Sequence, residues 1–560
     1  MGHSLNKIFL TAILWGLFSI GAFGQELLME SGQILSGDIQ RNEILSTETN
    51  LATQGDHLTN IVSSPLTTDE KADPSEATIS TTSDLLKQED SIIPFEQGSG
   101  MDQGVGALNE QVVDSNGYFS EEAFYYDANN CCYDVNNCNE YCNDNAVCGS
   151  SLNGGLFSRN RMPGSRFFVD GWVETGANSN STWPITTAAG GTVNDEASSF
   201  QMNQLYLSFG LETIKCNQIS LGGRVDLLYG TDYLYTSSLG LEVGTTNAAG
   251  MPVDSVYAAR PKWNRNSKGG FSQYGLAMPQ AYAEVYVPSG EGLTVKMGHF
   301  YSPIGYESVM PVSNFFYTHS YTMLYGEPQT VTGLMATQKL NANWSILGGF
   351  TQGWNVWEDP NDKMSFIAGA KWEDFCKRTS LSFTIMSGDE LSGVEDSKVT
   401  NYSLVYQQQL NPCMQYVLQH DMGFADNGGY GYNANGQLER MNARWASLVN
   451  YLYWQLTEET TLGLRFEWFQ DQNLSRVLAL PVYNNIPLMQ NKWEGENFYN
   501  LSLGLNWKPT SWLTVRPEIR YDWSDLENVD ENGNPIVQGV YDDFTKKELF
   551  TVGGDVVIRF

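Results

Sequence analysis

Residues 512–523 have the sequence Trp-Leu-Thr-Val-Arg-Pro-Glu-Ile-Arg-Tyr-Asp-Trp, in which apolar and polar side chains alternate. Successive side chains of a β-strand point to opposite faces of the sheet, so this pattern predicts a strand with one apolar and one polar face. The apolar face ends in the aromatic residues Tyr521 and Trp523. The polar face carries four charged side chains, which are Arg516, Glu518, Arg520 and Asp522. Similar alternation recurs at 219–227, 462–468 and 499–507.

Aromatic residues at the ends of apolar faces, with charges on the opposite faces, are typical of outer-membrane β-barrels with a polar interior. A strand in contact with lipid cannot leave its backbone groups unpaired, so the sheet has to close. Roughly sixteen strands can be counted on this pattern, at 165–176, 199–212, 218–231, 276–287, 292–301, 329–340, 344–356, 364–373, 377–387, 398–409, 413–424, 442–455, 459–470, 497–507, 512–523 and 546–560.

The connections between these strands alternate between short and long, as the periplasmic turns and external loops of such barrels do. One of the long connections is predicted at 425–441. A β-sandwich alternates along its strands too, but it has no reason to sort its connections by length. We therefore predict an all-β fold, a closed antiparallel transmembrane β-barrel of about 16 strands over residues 164–560.

The overall charge excludes one class of partner. The chain of 560 residues has a formal net charge of −33, which leaves no positive surface for DNA or RNA, so we expect no nucleic-acid partner. Residues 1–150 hold four basic and 23 acidic residues, and residues 151–560 carry a net charge of −14.

The N-terminal part of the chain differs from the strand-rich region. Lys7 precedes an apolar stretch that ends at Ala22-Phe23-Gly24, which predicts a secretory signal peptide over residues 1–24. Residues 25–120 are acidic and polar, and we expect them to be a disordered linker because they cannot bury enough apolar surface to fold. Residues 121–163 would form a small Cys-rich segment in the periplasm.

This segment contains five cysteines within 18 residues, which are Cys131, Cys132, Cys138, Cys142 and Cys148. Their spacing matches no common zinc site and no histidine lies nearby, so disulfides, which an exported segment permits, are favoured over zinc. The density of Asp and Asn also allows calcium, although the spacing is not that of an EF-hand. The other three cysteines, Cys216, Cys376 and Cys413, fall at short connections between predicted strands.

The chain ends in Phe560, the last residue of the last predicted strand. A terminal aromatic residue on an alternating strand is similar to the signal that the bacterial outer-membrane assembly machinery reads. We therefore expect Phe560 to be an assembly signal. The alternative is an ordinary C-terminal strand.

Several motifs resemble the β-barrel porin-2 (OmpL-like) family. They are Gly298-His299-Phe300-Tyr301-Ser302-Pro303-Ile304-Gly305-Tyr306-Glu307, Asn314-Phe315-Phe316-Tyr317-Thr318-His319-Ser320-Tyr321, Tyr325-Gly326-Glu327-Pro328, Arg465-Phe466-Glu467-Trp468-Phe469 and Arg516-Pro517-Glu518-Ile519-Arg520-Tyr521-Asp522. The resemblance covers residues 164–560 and implies a porin-like barrel in the bacterial outer membrane. It implies no particular solute.

The predicted third external loop, residues 302–328, is long, aromatic and nearly uncharged. By analogy with general porins we expect it to fold inward as a pore constriction, and the alternative is an external cap that seals the loops together. The candidate residues of the constriction are Tyr306, Glu307, His319, Tyr321 and Glu327.

Charged residues on the polar strand faces are expected to form the pore wall, with those of the last strands across the barrel from this loop. They are Arg224, Asp226, Arg465, Glu467, Arg516, Glu518, Arg520 and Asp522. Such a wall can create a transverse field in the pore or can be a structural ladder of ion pairs.

Two functions remain open from the sequence. The first is a channel for passive diffusion of small hydrophilic solutes or ions, and the alternative is a structural or surface-interaction barrel with a plugged lumen. We expect no enzymatic activity, because no pairing of Ser and His suggests a hydrolase, and we expect no cofactor or metal. The expected partners are outer-membrane lipid, the barrel-assembly machinery, the solutes themselves and further copies of the chain in a homotrimer.

The cysteines lead to the first prediction. Five cysteines cannot all pair among themselves, whereas five and the three at short connections make an even number. We predict that at least one cysteine of the cluster at 131–148 forms a disulfide with Cys216, Cys376 or Cys413 and holds a small cap at the periplasmic mouth. The alternative is that these three cysteines are isolated, reduced, small apolar side chains. Non-reducing peptide mapping of the oxidised native protein measures this directly. If all three turn cysteines react with an alkylating agent, the tether does not exist.

Overall fold

The computed structural model describes residues 166–560, with gaps at 182–197, 216, 248–249, 251–252, 254–255, 257–258, 268–269, 360, 391–396, 433–437, 473–474, 478–495, 527, 530–534, 538 and 543–544. The expected signal peptide, acidic linker and Cys-rich segment therefore lie outside the described residues, as does Cys216.

Within the described residues, sixteen antiparallel strands close into one barrel, so the predicted fold class is confirmed. Each strand pairs with its neighbours in the chain, and β1 pairs with the last strand, β18. The barrel strands are β1 (Phe167–Asn180), β2 (Ser198–Leu211), β3 (Ser220–Gly230), β4 (Gly275–Val287), β5 (Leu293–Tyr301), β6 (Thr330–Lys339), β7 (Trp344–Thr351), β8 (Ser365–Glu373), β9 (Thr379–Asp389), β10 (Lys398–Asn411), β11 (Met414–Tyr432), β12 (Leu438–Gln455), β13 (Thr460–Gln472), β14 (Glu496–Thr510), β15 (Leu513–Ser524) and β18 (Glu548–Arg559).

The remaining elements lie in the long connections. The strands β16 (Asn528–Val529) and β17 (Pro535–Val537) form a separate two-stranded sheet between β15 and β18. A short helix, α1 (Tyr233–Thr236), follows β3, and the connection between β5 and β6 contains a 3-10 turn (Pro311–Ser313) and a π-helical turn (Thr322–Gly326). Among the described residues, no helix is both long and apolar enough to cross a lipid bilayer.

The two faces of the strands differ as the alternation predicts. On β15 the outward Ile519 leaves 44% of its surface exposed, whereas the inward Arg520 is completely buried. On β14 the outward Trp507 is likewise 44% exposed, and the inward Asn500 is completely buried. A surface of exposed apolar side chains around buried polar ones is the reverse of a soluble protein and fits a wall in contact with lipid.

Several predicted strand boundaries are wrong, and two regions differ most. Residues 425–441 are not a long loop, because β11 continues to Tyr432, which pairs with Leu438 of β12. A bulge after Ala425 interrupts the pairing of the two strands, and the pairing resumes at Gly429. The glycines of this stretch suggest a loop, but a two-stranded ribbon tolerates them when each strand has its partner. The predicted strand 344–356 also ends early, at Thr351.

The chain terminus closes the barrel. The backbone N–H of Phe560 donates to the carbonyl of Gly171 at 2.9 Å, and the N–H of Gly171 donates to the carbonyl of Phe560 at 3.1 Å. A Cβ atom on Gly171 would lie 2.9 Å from the Phe560 ring, so the ring covers this glycine on β1. Phe560 therefore takes part in the seam between the first and last strands.

We predict that deletion of Phe560 lowers the amount of folded barrel in the outer membrane and leaves export intact, because it removes two hydrogen bonds of the seam and the candidate assembly signal. Heat-modifiable mobility of membrane fractions measures the folded barrel. Phe375→Ala is the matched control, since Phe375 is 78% exposed in the turn between β8 and β9. Wild-type levels of heat-modifiable barrel in the deletion variant would contradict this role of the C-terminus.

Candidate functional site

The connection between β5 and β6, residues 302–329, lies inside the barrel, and we call it loop L3. The carbonyl of Val309 in L3 accepts a hydrogen bond from Gln204 on β2 at 2.8 Å. The carbonyl of Pro303 accepts one from Thr384 on β9 at 3.4 Å. Because β2 and β9 stand on opposite sides of a ring of sixteen strands, L3 crosses the lumen.

Arg516 on β15 binds the middle of L3. Its Nη1 donates to three backbone carbonyls of the loop, those of Pro311, Asn314 and Phe316, at 3.0, 2.9 and 3.2 Å. Its Nη2 is paired with Glu174 of β1 at 3.0 Å and with Asp555 of β18 at 2.5 Å. The planar guanidinium presents five donors in fixed directions, so one side chain can join the loop to three strands.

Thr318 is the second attachment point of L3. Its carbonyl and its hydroxyl accept hydrogen bonds from Arg465 of β13 at 2.7 and 2.8 Å. Its backbone N–H and its hydroxyl donate to the carboxylate of Glu518 on β15 at 2.9 and 2.6 Å. Arg465 is also paired with Glu307, another L3 residue, at 2.8 Å.

The next residues of L3 are bound in the same way. Arg520 of β15 donates to the carbonyl of His319 at 2.5 Å and forms a two-pronged ion pair with Asp522 at 2.8 and 2.7 Å. Glu467 of β13 accepts hydrogen bonds from the backbone N–H groups of Tyr321 and Thr322 at 2.8 and 2.7 Å. The wall therefore binds the loop mainly through its backbone, with Thr318 and Glu307 as side-chain contacts, which fixes the path of the chain more than the identity of most of its side chains.

The five expected constriction residues all lie in L3 and all contact the wall or another loop. Tyr306 packs on Tyr451 of β12 with ring centroids 4.9 Å apart, and Tyr321 shares a hydrogen bond of 2.7 Å with Tyr541. His319 lies 3.7 Å from Glu307. Burial alone would raise the pKa of Glu307, but Arg465 and His319 outweigh it and hold that pKa well below its ordinary value. Glu327 contacts Gln419 on β11.

Six of the eight expected wall residues meet at L3, and these are Arg465, Glu467, Arg516, Glu518, Arg520 and Asp522. The sequence predicts them across the lumen from the loop, whereas in the structure the loop is in direct contact with them. Arg224 and Asp226 pair with each other on β3 at 2.7 Å, apart from this cluster, and Asp226 also accepts a hydrogen bond from Tyr206 at 2.5 Å.

Sequence reasoning missed several residues of the site. Glu174 and Asp555 complete the ion-pair cluster of Arg516, and Asp555 faces Arg516 directly across the β15–β18 ladder. The only indication in the sequence was that both residues fall on the inward-facing positions of their strands. Nothing in the sequence indicated that Thr318 and Gln204 connect the loop to the wall, because their hydrogen bonds join residues that are 105 to 202 positions apart in the chain.

An apolar cluster lies at the end of the barrel that carries the long connections. It combines side chains of strand ends with side chains of several connections, and its aromatic members are Tyr321, Trp445, Phe469, Phe498 and Tyr541, with Trp354 packed against it. Arg476 stacks on the rings of Trp445 and Trp354 at 3.8 and 4.5 Å from their centroids. L3 contributes Tyr321 to this cluster, and Arg520 lies over the Tyr321 ring at 5.4 Å.

A protein-family model described as putative beta-barrel porin-2, OmpL-like, matches residues 166–560. No curated protein matches the chain in sequence. Among solved structures, the outer membrane channel DcaP of Acinetobacter baumannii is 12% identical, with a TM-score of 0.43 over 73% of this chain and 100% of that one. An anion-selective porin from Comamonas acidovorans is 7% identical, with a TM-score of 0.42 over 71% of this chain and 100% of the other.

We predict that Arg516→Met destabilises the barrel by about 3–5 kcal/mol, because it leaves Glu174 and Asp555 buried without their cation and orphans three loop carbonyls. The urea midpoint of barrel unfolding should fall, and L3 should become sensitive to added protease. Arg559→Met, at the exposed end of β18, is the control and should leave both properties unchanged. An unchanged urea midpoint for Arg516→Met would refute the anchoring role of this side chain.

Proposed function

The chain belongs to the putative β-barrel porin-2, OmpL-like family and is a porin-like channel of the bacterial outer membrane, and we propose that small hydrophilic solutes and ions cross it by passive diffusion. The polar inner face of the closed wall carries this proposal. Barrels of sixteen to eighteen strands are wide enough for an aqueous channel, so inward polar side chains have water to face unless a loop covers them.

The proposed path runs along β7 to β10, away from the strands that hold most of L3. Some inward residues here are only partly buried and are small or neutral, among them Ser345, Gly349, Gly369 and Gln407, whereas Thr384 of β9 and Ser403 of β10 are buried. Lys371 is the inward cation of this wall and is paired with Glu373 at 2.6 Å. A path of this kind is polar, weakly charged and open to a range of small solutes.

We propose that L3 sets the size limit of this path, with Tyr306, Glu307, His319, Tyr321 and Glu327 as its constriction residues. The three wall arginines then act as anchors of the loop. Each is paired with carboxylates, so the ladder of ion pairs is favoured over a transverse field across open water. The carboxylates of the cluster outnumber its arginines, which favours cations over anions. They are Glu174, Glu307, Glu467, Glu518, Asp522 and Asp555.

The alternative function is a structural or surface-interaction barrel whose lumen is plugged. Two observations support it: L3 forms hydrogen bonds to opposite walls, and Tyr321 of L3 belongs to an apolar cluster at the end of the barrel that carries the long connections. Under either function we propose no catalytic role for the chain. Its proposed partners are outer-membrane lipid, the assembly machinery that inserts it, and further copies of the chain in a homotrimer.

Planar-bilayer recording of the purified protein tests these proposals together. A channel gives stepwise conductance, a homotrimer groups the steps in threes, and a salt gradient gives a reversal potential of the sign expected for cations. An anion-selective reversal potential would contradict the charge argument. A complete absence of steps, in protein shown to be folded by its heat-modifiable mobility, would favour the plugged barrel.

A further inference from the structure

The far end of L3 is held to β11 by chemistry that differs from the arginine anchors. Nε2 of Gln419 donates to Oε1 of Glu327 in L3 and also to Oδ1 of Asp421 on β11, the latter at 2.9 Å. One amide nitrogen between two carboxyl groups means that the carboxyl groups lie side by side. Both are buried, with 4% of Glu327 and 1% of Asp421 exposed.

No lysine or arginine forms an ion pair with these two carboxyl groups within the part of the chain that the structure describes. On β10, the hydroxyl of Ser403 donates a hydrogen bond to Oδ1 of Asp421 at 2.6 Å. Among the titratable groups near it, Glu307 belongs to the beginning of L3, and His420 is next to Asp421 in the chain but on the outward face of β11, where it stacks on Tyr402. Oδ2 of Asp421 is buried without a hydrogen-bond partner. Ionising two adjacent buried carboxylates together is costly, so one proton between them is the simplest way to satisfy this oxygen.

The pair also joins the two ends of the loop. Gly305, near the beginning of L3, has a φ of 94°, a backbone conformation that favours glycine. A Cβ atom at this position would lie 2.0 Å from Oε2 of Glu327, so only glycine lets the beginning of the loop pass against the carboxyl group near its end. Movement of Glu327 would therefore change the packing of the loop at Gly305, while Arg465 keeps its ion pair with Glu307.

The direction of the pH effect follows from the environment of Glu327. Burial first, and then the neighbouring Asp421, raise the pKa of Glu327 well above its ordinary value. A raised pKa means that the contact is complete below the ordinary pKa of a glutamate and is lost as the pH rises through the raised value. Once both groups are ionised they repel each other, while the arginine anchors keep their charge.

We propose that Glu327 and Asp421 share one proton that latches L3 to β11, and that loss of this proton at higher pH frees the loop and widens the passage. This inference rests on the proposed function, because the passage has to conduct for the latch to regulate it. The device would make the channel more permeable in alkaline than in acidic surroundings.

Bilayer conductance of the full chain as a function of pH tests the latch. For the wild type we expect the ratio of open to closed channels to rise with pH, by at most tenfold for each pH unit, since one proton is involved. Glu327→Gln should stay closed at every pH, because its amide replaces the shared proton by donating to Asp421. Glu291→Gln, exposed in the turn between β4 and β5, is the control and should follow the wild type.

Infrared spectroscopy gives a second measurement that does not need conductance. The difference spectrum between the wild type and Glu327→Gln at neutral pH should contain the C=O stretch of a buried protonated carboxyl group, and so should the difference spectrum between the wild type and Asp421→Asn. This band in a protein without conductance would support the shared proton and count against the channel. The latch is overturned if the band is absent, if Glu327→Gln keeps the wild-type pH dependence, or if EDTA removes the closure, since a metal ion would then hold the pair.

Discussion

A strand surrounded by lipid has no water with which to pair its amide groups, so every backbone hydrogen bond of this barrel has to be made between neighbouring strands. The pairing of β1 with β18, which the hydrogen bonds between Phe560 and Gly171 complete, leaves the sheet without an unpaired edge. The rest of the structure depends on this closure. It forces apolar side chains outward and places the charged side chains of the strands in a shared interior, where they have to find partners.

Charges in such an interior are costly unless they are paired and hydrogen-bonded. The barrel meets this requirement by bringing L3 inward. Arg465, Arg516 and Arg520 each combine carboxylates of the wall with backbone carbonyls of the loop. The loop in turn satisfies its own polar backbone groups away from water, which an inward loop must do. Loop and wall therefore stabilise each other, and removal of one arginine affects both.

The two sides of L3 differ in the kind of interaction that holds them. The side at β13 and β15 is bound by guanidinium groups, which keep their charge at every physiological pH. The side at β11 is bound by Glu327 and Asp421, two acidic groups joined by one glutamine amide. A loop with one permanent and one titratable attachment can move at one end without leaving the lumen. For a porin-like barrel, this is a means of changing the passage while keeping the fold.

The sequence by itself determined the alternation of each strand, the number of strands and the closed barrel, because the period of two along a strand is a local property and lipid leaves one global solution. It also showed which charged residues face inward. Only the tertiary structure decided which of them meet, since the bonds of Arg465 and Arg516 to L3 join residues 147 to 205 positions apart. The ribbon at 425–441 was misjudged for the same reason: glycines indicate a loop locally, and only the partner strand makes them part of a sheet.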